Sequence, residues 1–332
     1  MNPLAGVGAA IELRSRLQRA DLERREAGGG GGWDELGGAW VRLPAGRAWG
    51  AVHFTGGAVL GSYPHICYDA LLGALADASG LVVIATPYDL GTDHDAISTA
   101  VAAKLRSALG AVAAREGLAL GALPLFGLGH SLGAKLQVLC AAAPAGNAAS
   151  VRYTAQCLVA FNNASAADSV KLVEKFARDL LASRAAAAAD GAGSPEAQRM
   201  FDTLLRSMPA VGAMAERAAR AAGLEFTPDP EETLSRVRAS FAPRNCLLLK
   251  FADDELDQNA ELLGSMAAAP APPATEKRPG NHLTPVVLRL GGGALGAVNP
   301  ALGRAVGDVR VGDEEAAQTL GRDIAAWLMK AR

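Results

Sequence analysis

The chain has 332 residues, 50% of them apolar, and a formal net charge of -2. That is enough apolar material for the core of one large α/β domain or two small ones, and the near-neutral balance gives no reason to expect nucleic acid or an anionic membrane as partner. No long uncharged apolar run occurs, so no transmembrane segment is expected. The reading is of a soluble chain, with peripheral membrane contact left open and the oligomeric state undetermined.

Residues 1–32 read as a polar helix over 8–25 followed by a glycine linker at Gly28 to Gly32. Glu12, Asp21, Glu23 and Glu26 interrupt any secretory core and argue against a clear transit peptide. From Trp33, β-type and helical runs alternate. Ala39 to Leu43 and Trp49 to Phe54 read as strands, Pro64 to Ala78 as a helix, and Leu81 to Ala85 as a strand buried on both faces of a parallel sheet. Asp93 to Arg115 is a long helix capped by Thr92 or Asp93, Leu123 to Leu128 a strand, Leu132 to Ala143 a helix and Gln156 to Phe161 a buried strand. This rhythm predicts one mostly parallel sheet with helices on both faces.

The rhythm stops at 164–243, where Ser169 to Ala189, Pro195 to Ser207, Val211 to Ala222 and Pro230 to Ala239 all read as helix. The segment is expected to be a helical lid inserted into a core formed by 33–163 and 244–332; a separate helical domain is the alternative. Asn245 to Phe251 resumes the sheet, Met266 to Pro279 reads as a flexible loop, Pro285 to Leu290 as a last strand and Glu314 to Lys330 as a closing helix. Cys67, Cys140, Cys157 and Cys246 each sit in an apolar stretch and read as reduced core residues.

Gly129-His130-Ser131-Leu132-Gly133 is the one Gly-x-Ser-x-Gly in the chain. In a glycine-rich sequence the motif alone means little, but here an apolar strand enters it and a helix-forming run leaves it. A serine on such a turn sits in a strained backbone conformation, and a Cβ at either flanking position would collide with the adjacent strand or helix. The Leu132 N–H, at a helix N-terminus, is placed to hold an oxyanion. A second donor is expected from the glycine-rich loop His53 to Ser62, which is similar to the His-Gly-Gly-Gly loop of hormone-sensitive-lipase-like esterases. Gly56, Gly57 and Ala58 are the candidates, and Phe54 and Thr55 depart from that pattern.

A nucleophilic serine needs a base and an orienting carboxylate, which in this fold follow in the order Ser, acid, His. Of five histidines only His282 lies after Ser131. Among the acids after the strand Leu247 to Phe251, Asp254 fits best, with Asp257 and Asp253 in reserve. His130, placed with the substrate-binding residues, is more often packing than chemistry at such a turn. His53 and His65 flank the site with packing as the leading role, Lys135 is expected to be solvated, and Thr92 to Asp95 is a helix cap before it is a metal site. No P-loop, dinucleotide fingerprint or zinc-ligand spacing occurs, so neither cofactor nor metal is expected.

Taken together, several motifs resemble one family: His53-Phe54-Thr55-Gly56-Gly57-Ala58; Ala85-Thr86-Pro87-Tyr88 with Asp93-His94; Gly129 to Gly133; Phe161-Asn162-Asn163; Phe251 to Asp254 with Leu256-Asp257-Gln258; and Asn281 to Pro285. It is the domain of unknown function 1350 family of plants, algae and cyanobacteria, a branch of the α/β hydrolases. The resemblance runs from about Trp40 to Pro285, leaving out the N-terminal region and the alanine-rich lid. It implies the α/β-hydrolase fold and a chloroplast setting (otherwise cytoplasmic), and it names no reaction. Two functions are carried forward. One is a serine hydrolase acting on an ester, thioester or lipid acyl bond; the other is a hydrolase-fold binding or assembly factor whose site is idle.

Overall fold

The apolar runs assemble into one eight-stranded sheet in a computed structural model that describes residues 17–22, 32–117, 123–165, 223, 225–241, 243, 245–266, 271–290 and 309–332. The strands are β1 (Asp34–Leu36), β2 (Ala39–Arg42), β3 (Ala51–Thr55), β4 (Val82–Ala85), β5 (Leu125–His130), β6 (Ala155–Val159), β7 (Cys246–Phe251) and β8 (Ala274–Arg278). Their spatial order is β1-β2-β4-β3-β5-β6-β7-β8; the β1–β2 and β2–β4 pairs are antiparallel and all later neighbours are parallel.

Both faces of the sheet are covered, which is why an inner strand such as β4 is apolar without alternation. In β4, Val83 and Ala85 enter one core while Val82 and Ile84 enter the other. The first face is covered by α2 (Asp69–Ser79) and α6 (Glu314–Lys330) through Leu71, Leu72, Leu75, Ile324 and Leu328. The opposite face is covered by α3 (His94–Glu116), through Ala102, Leu105, Ala108 and Val112, and by α4 (Leu132–Ala142). By length and composition alone α3 is apolar enough to cross a membrane, but here its apolar side lies on the sheet. The chain winds outward from β3 in one direction to β4 and in the other to β5. Such a switch point leaves a crevice at the carboxyl ends of the two strands, where α/β folds place their sites.

Several elements depart from the sequence reading. The run from Pro64 divides into α1 (Pro64–Cys67) and α2 because Tyr68 leaves helical dihedrals, at φ -120° and ψ 14°. The loop expected over Met266 to Pro279 contains β8, an edge strand whose Thr275-Glu276-Lys277-Arg278 lacks an apolar face; it is held by parallel pairing to β7 and by Arg278 with Asp323 and Glu276. Leu288–Leu290 (β9) is a strand but not the last of this sheet: it pairs antiparallel with β10 (Val309–Val311) in a separate ribbon.

Of the expected lid, the helices at Ser169 to Ala189, Pro195 to Ser207 and Val211 to Ala222 lie outside the described residues. The fourth is α5 (Pro230–Ser240), capped by Asp229 and packed through Val237 on Ala134 and Val138 of α4. Within the expected N-terminal helix, 17–22 is helical and the remainder lies outside the described residues. All four cysteines are free and buried, and burial raises the Cys140, Cys157 and Cys246 thiols.

Candidate active site

Ser131 stands between β5 and α4 at φ 57° and ψ -124°, a conformation an L-residue adopts only where its surroundings force it. Close approach does the forcing. A Cβ on Gly129 would lie 2.5 Å from the Ala134 Cα, and one on Gly133 would overlap the carbonyl oxygen of Thr55. The Ser131 N–H donates to Val159 O at 3.0 Å, tying the turn to β6. Ser131 occupies the N-cap of α4, and its carbonyl accepts the Ala134 N–H at 3.0 Å, yet its side chain accepts no hydrogen bond from that helix. Its hydroxyl is turned elsewhere.

That hydroxyl lies 2.9 Å from His282 Nε2, and His282 Nδ1 lies 2.8 Å from Asp254 Oδ2. Asp254 comes three residues after the end of β7, and its other oxygen accepts the Leu256 N–H at 2.9 Å. Burial alone would raise the Asp254 carboxyl; the hydrogen bond from His282 and the bond from Leu256 outweigh it and hold the group below its ordinary value. An ionised carboxylate only accepts, so Nδ1 carries the proton, Nε2 accepts, and Ser131 donates to it. Folding thus brings together residues 131, 254 and 282, each nearly closed to solvent.

The reserve acids lie apart from the imidazole. Asp253 is exposed, and its N–H donates to Gly280 O. The Asp257 side chain is 1% exposed and accepts the Asn259 N–H at 3.1 Å; burial, with Asp254 close by, pushes it up to about 6. The asparagines after β6 hold this loop: Asn162 Nδ2 donates to Leu256 O at 2.8 Å, and Gln258 Oε1 accepts the Asn163 N–H at 2.6 Å.

The candidate oxyanion donors are separated by their partners. Leu132 opens α4, where backbone N–H groups are free of helical acceptors. Gly57 abuts the nucleophile, since a Cβ on it would stand 3.2 Å from Ser131 Cβ, but its N–H donates to the Tyr68 hydroxyl at 2.8 Å. The Gly56 carbonyl accepts from the Tyr88 hydroxyl. Ala58 is exposed, and its N–H has no acceptor among the described residues; its carbonyl accepts from Leu60 N–H across Val59, whose φ of 62° and ψ of -53° form a strained γ-turn. Of the loop amides, that of Gly57 is taken and that of Ala58 is left open.

His130 points inward between Tyr68 and the backbone of His282. Sequence reasoning passed over Tyr68, and only its place in a glycine-flanked helical run could have drawn notice. His53 is a buried strand residue bonded to Tyr153 and Thr86, and His65 stacks on Trp40 and pairs with Asp21. Asp93 caps α3 by accepting the Ala96 N–H, while His94 turns inward against Phe226. No grouping of metal-binding side chains occurs among the described residues. Lys135, expected in solvent, is fully buried and donates to Pro228 O at 3.0 Å; α5 and the segment before it roof that side of α4.

Over residues 32–300 the chain matches the family described as "Protein of unknown function (DUF1350)". The chain belongs to this family. The DUF1350 match extends past Trp40 and Pro285 at both ends and runs through 164–243, which the motif resemblance had left out. No curated protein matches the chain by sequence. Among solved structures, a hormone-sensitive lipase from a metagenome library is 13% identical over 90% of this chain and 85% of its own, with a TM-score of 0.50. A soluble variant of monoglyceride lipase from Saccharomyces cerevisiae is 13% identical over 90% of this chain and 94% of its own, with a TM-score of 0.49. At such identity the first likeness shows that this DUF1350 chain has the α/β-hydrolase fold, and shows nothing of its activity.

Proposed function

We propose that this chain is a serine hydrolase that cleaves an ester, thioester or lipid acyl bond. The observation that carries the reading is the unbroken chain of contacts from Asp254 through His282 to Ser131, at 2.8 and 2.9 Å. Ser131 Oγ attacks the acyl carbonyl while His282 Nε2 takes its proton, and Asp254 stabilises the imidazolium that forms. Negative charge gathers on the former carbonyl oxygen, within reach of the Leu132 N–H and an amide of the 56–58 loop. Collapse expels the alcohol or thiol, which receives the proton from Nε2. Water activated by the same imidazole then releases the acid and restores the serine.

The alternative, an idle binding or assembly factor, calls for a hydroxyl out of reach of the imidazole, and the 2.9 Å separation supports the enzymatic reading over it. The segment 164–243 would roof the site and supply an acyl pocket, and the setting would be a chloroplast, as the resemblance implies. A fluorophosphonate probe tests the central claim: it should label the wild-type chain and leave Ser131→Ala unlabelled. Equal labelling of both would end the proposal.

A further inference from the structure

Behind the nucleophile, two buried side chains connect the loops on either side of it. The Tyr68 hydroxyl lies 2.8 Å from Gly57 N and 2.9 Å from His130 Nδ1, and His130 Nε2 lies 2.9 Å from the carbonyl oxygen of His282. A carbonyl oxygen only accepts, so Nε2 bears the hydrogen. Burial, followed by the nearness of His282, lowers His130 to about 3, so the ring is neutral and its Nδ1 is an acceptor. Burial likewise raises Tyr68 well above its ordinary value, so the phenol keeps its proton and gives it to Nδ1. Its oxygen then accepts from Gly57. Three hydrogen bonds run in one direction, from Gly57 through Tyr68 and His130 to His282, and no other placement of protons on neutral rings satisfies all three.

These bonds end on the main chain of the two loops that flank Ser131. A Cβ on Gly57 would stand 3.3 Å from both His130 Nδ1 and the Tyr68 hydroxyl, so nothing else fits between. At the other end, His282 also carries the imidazole that meets Ser131. We propose that Tyr68 and His130 are positioning residues for acyl transfer, fixing the backbone of His282 against the Gly57 loop so that Nε2 stays within reach of Ser131 Oγ and the 56–58 amides keep their place. The inference rests on the serine-hydrolase reading above. Neither side chain touches the acyl group: Tyr68 is 0% and His130 2% exposed, and both act through the backbone. Because a misplacement of about 1 Å costs on the order of a hundredfold in rate, a relay of this kind matters without entering the chemistry.

The test compares Tyr68→Phe, His130→Leu and His130→Gln with the wild type; Gln keeps an N–H donor near the place of Nε2. On a p-nitrophenyl acyl ester, Tyr68→Phe should lower kcat about tenfold and His130→Leu about a hundredfold, with KM within about twofold, and His130→Gln should recover part of the loss. Values of kcat within about twofold of wild type for Tyr68→Phe and His130→Leu, or no recovery in His130→Gln, would overturn the proposal. A second readout does not depend on turnover. Nitrogen-15 spectra should show His130 as the neutral Nε2–H tautomer between about pH 5 and pH 8, and the low-field Nδ1 proton of His282 should broaden in His130→Leu. If the wild type neither turns over ester nor takes the fluorophosphonate, the hydrolase reading falls and this resonance alone decides. Broadened, it upholds the positioning role in an idle site; unchanged, it removes it.

Discussion

Lys135 lies one helical turn from Ser131 on the same helix, yet its ammonium is buried and bound to the carbonyl oxygen of Pro228, 3.0 Å away. It belongs to a clamp that holds the segment entering α5 against the core. The His94 N–H donates to Thr227 O at 2.7 Å, and Arg236 grips both carboxylate oxygens of Asp95 at 2.7 and 3.0 Å. Burial lowers Lys135 from 10.5 to about 8. The folded chain therefore binds this proton less tightly than the unfolded chain, and stability rises with pH between about 8 and 10.5. Lys135→Met should cost less than about 1 kcal/mol at neutral pH, since the lost hydrogen bond is offset by relief of a buried charge. It should also remove that rise. Urea unfolding of both chains near pH 7 and pH 9.5 checks it; an equal pH response would refute the assignment.

Asp257 carries the opposite sign. Its carboxyl, pushed up to about 6 chiefly by burial, holds a proton more tightly folded than unfolded, so stability falls as pH rises from about 4 to 6. Asp257→Asn keeps an acceptor for the Asn259 N–H and abolishes the charge. The variant should be more stable than wild type at neutral pH by about 1 kcal/mol, after allowance for solvent screening. Ester turnover should stay within about threefold, because this side chain makes no hydrogen bond to the imidazole. Thermal unfolding and a turnover assay on the same preparation test both parts.

The turn itself admits no side chain at Gly133. A methyl there would overlap the carbonyl oxygen of Thr55, on the strand that precedes the 56–58 loop. Backbone cannot rotate aside as a flexible side chain does, so Gly133→Ala should destabilise the fold by at least about 3 kcal/mol or displace Leu132 and leave the serine unreactive. A Gly133→Ala chain with wild-type melting temperature and wild-type fluorophosphonate labelling would contradict this.

The sheet was readable where the sequence is monotonous. Leu81 to Ala85 and Cys246 to Leu249 are apolar throughout because helices cover both faces of the strands they form. It was illegible at β8, whose Thr-Glu-Lys-Arg run is held by pairing to β7 and by a charge network, neither of which leaves a periodic trace. In the site, chain order singled out residues 131, 254 and 282. Tyr68 left no such trace, because a tyrosine between two helices reads as packing until its hydroxyl is seen to have two partners. Lys135 misled for the opposite reason: on a helix following a turn, a lysine ordinarily faces water, and only the returning segment at Pro228 buries it.

The sharpest division of labour lies between Asp254 and the base it holds. In the folded chain the Asp254 carboxyl is held below its ordinary value, so it supplies stability that is present above about pH 4 and lost as pH falls through its folded value. Asp254→Asn replaces an acceptor-only group with an amide that can donate to Nδ1. The imidazole then carries its proton on Nε2, facing Ser131, where it cannot act as a base. Turnover of a p-nitrophenyl ester should fall by on the order of 10³ to 10⁴, with little change in KM. A variant that keeps more than about a tenth of wild-type kcat would show that another group orients the imidazole, and Asp257 would be the next residue to remove.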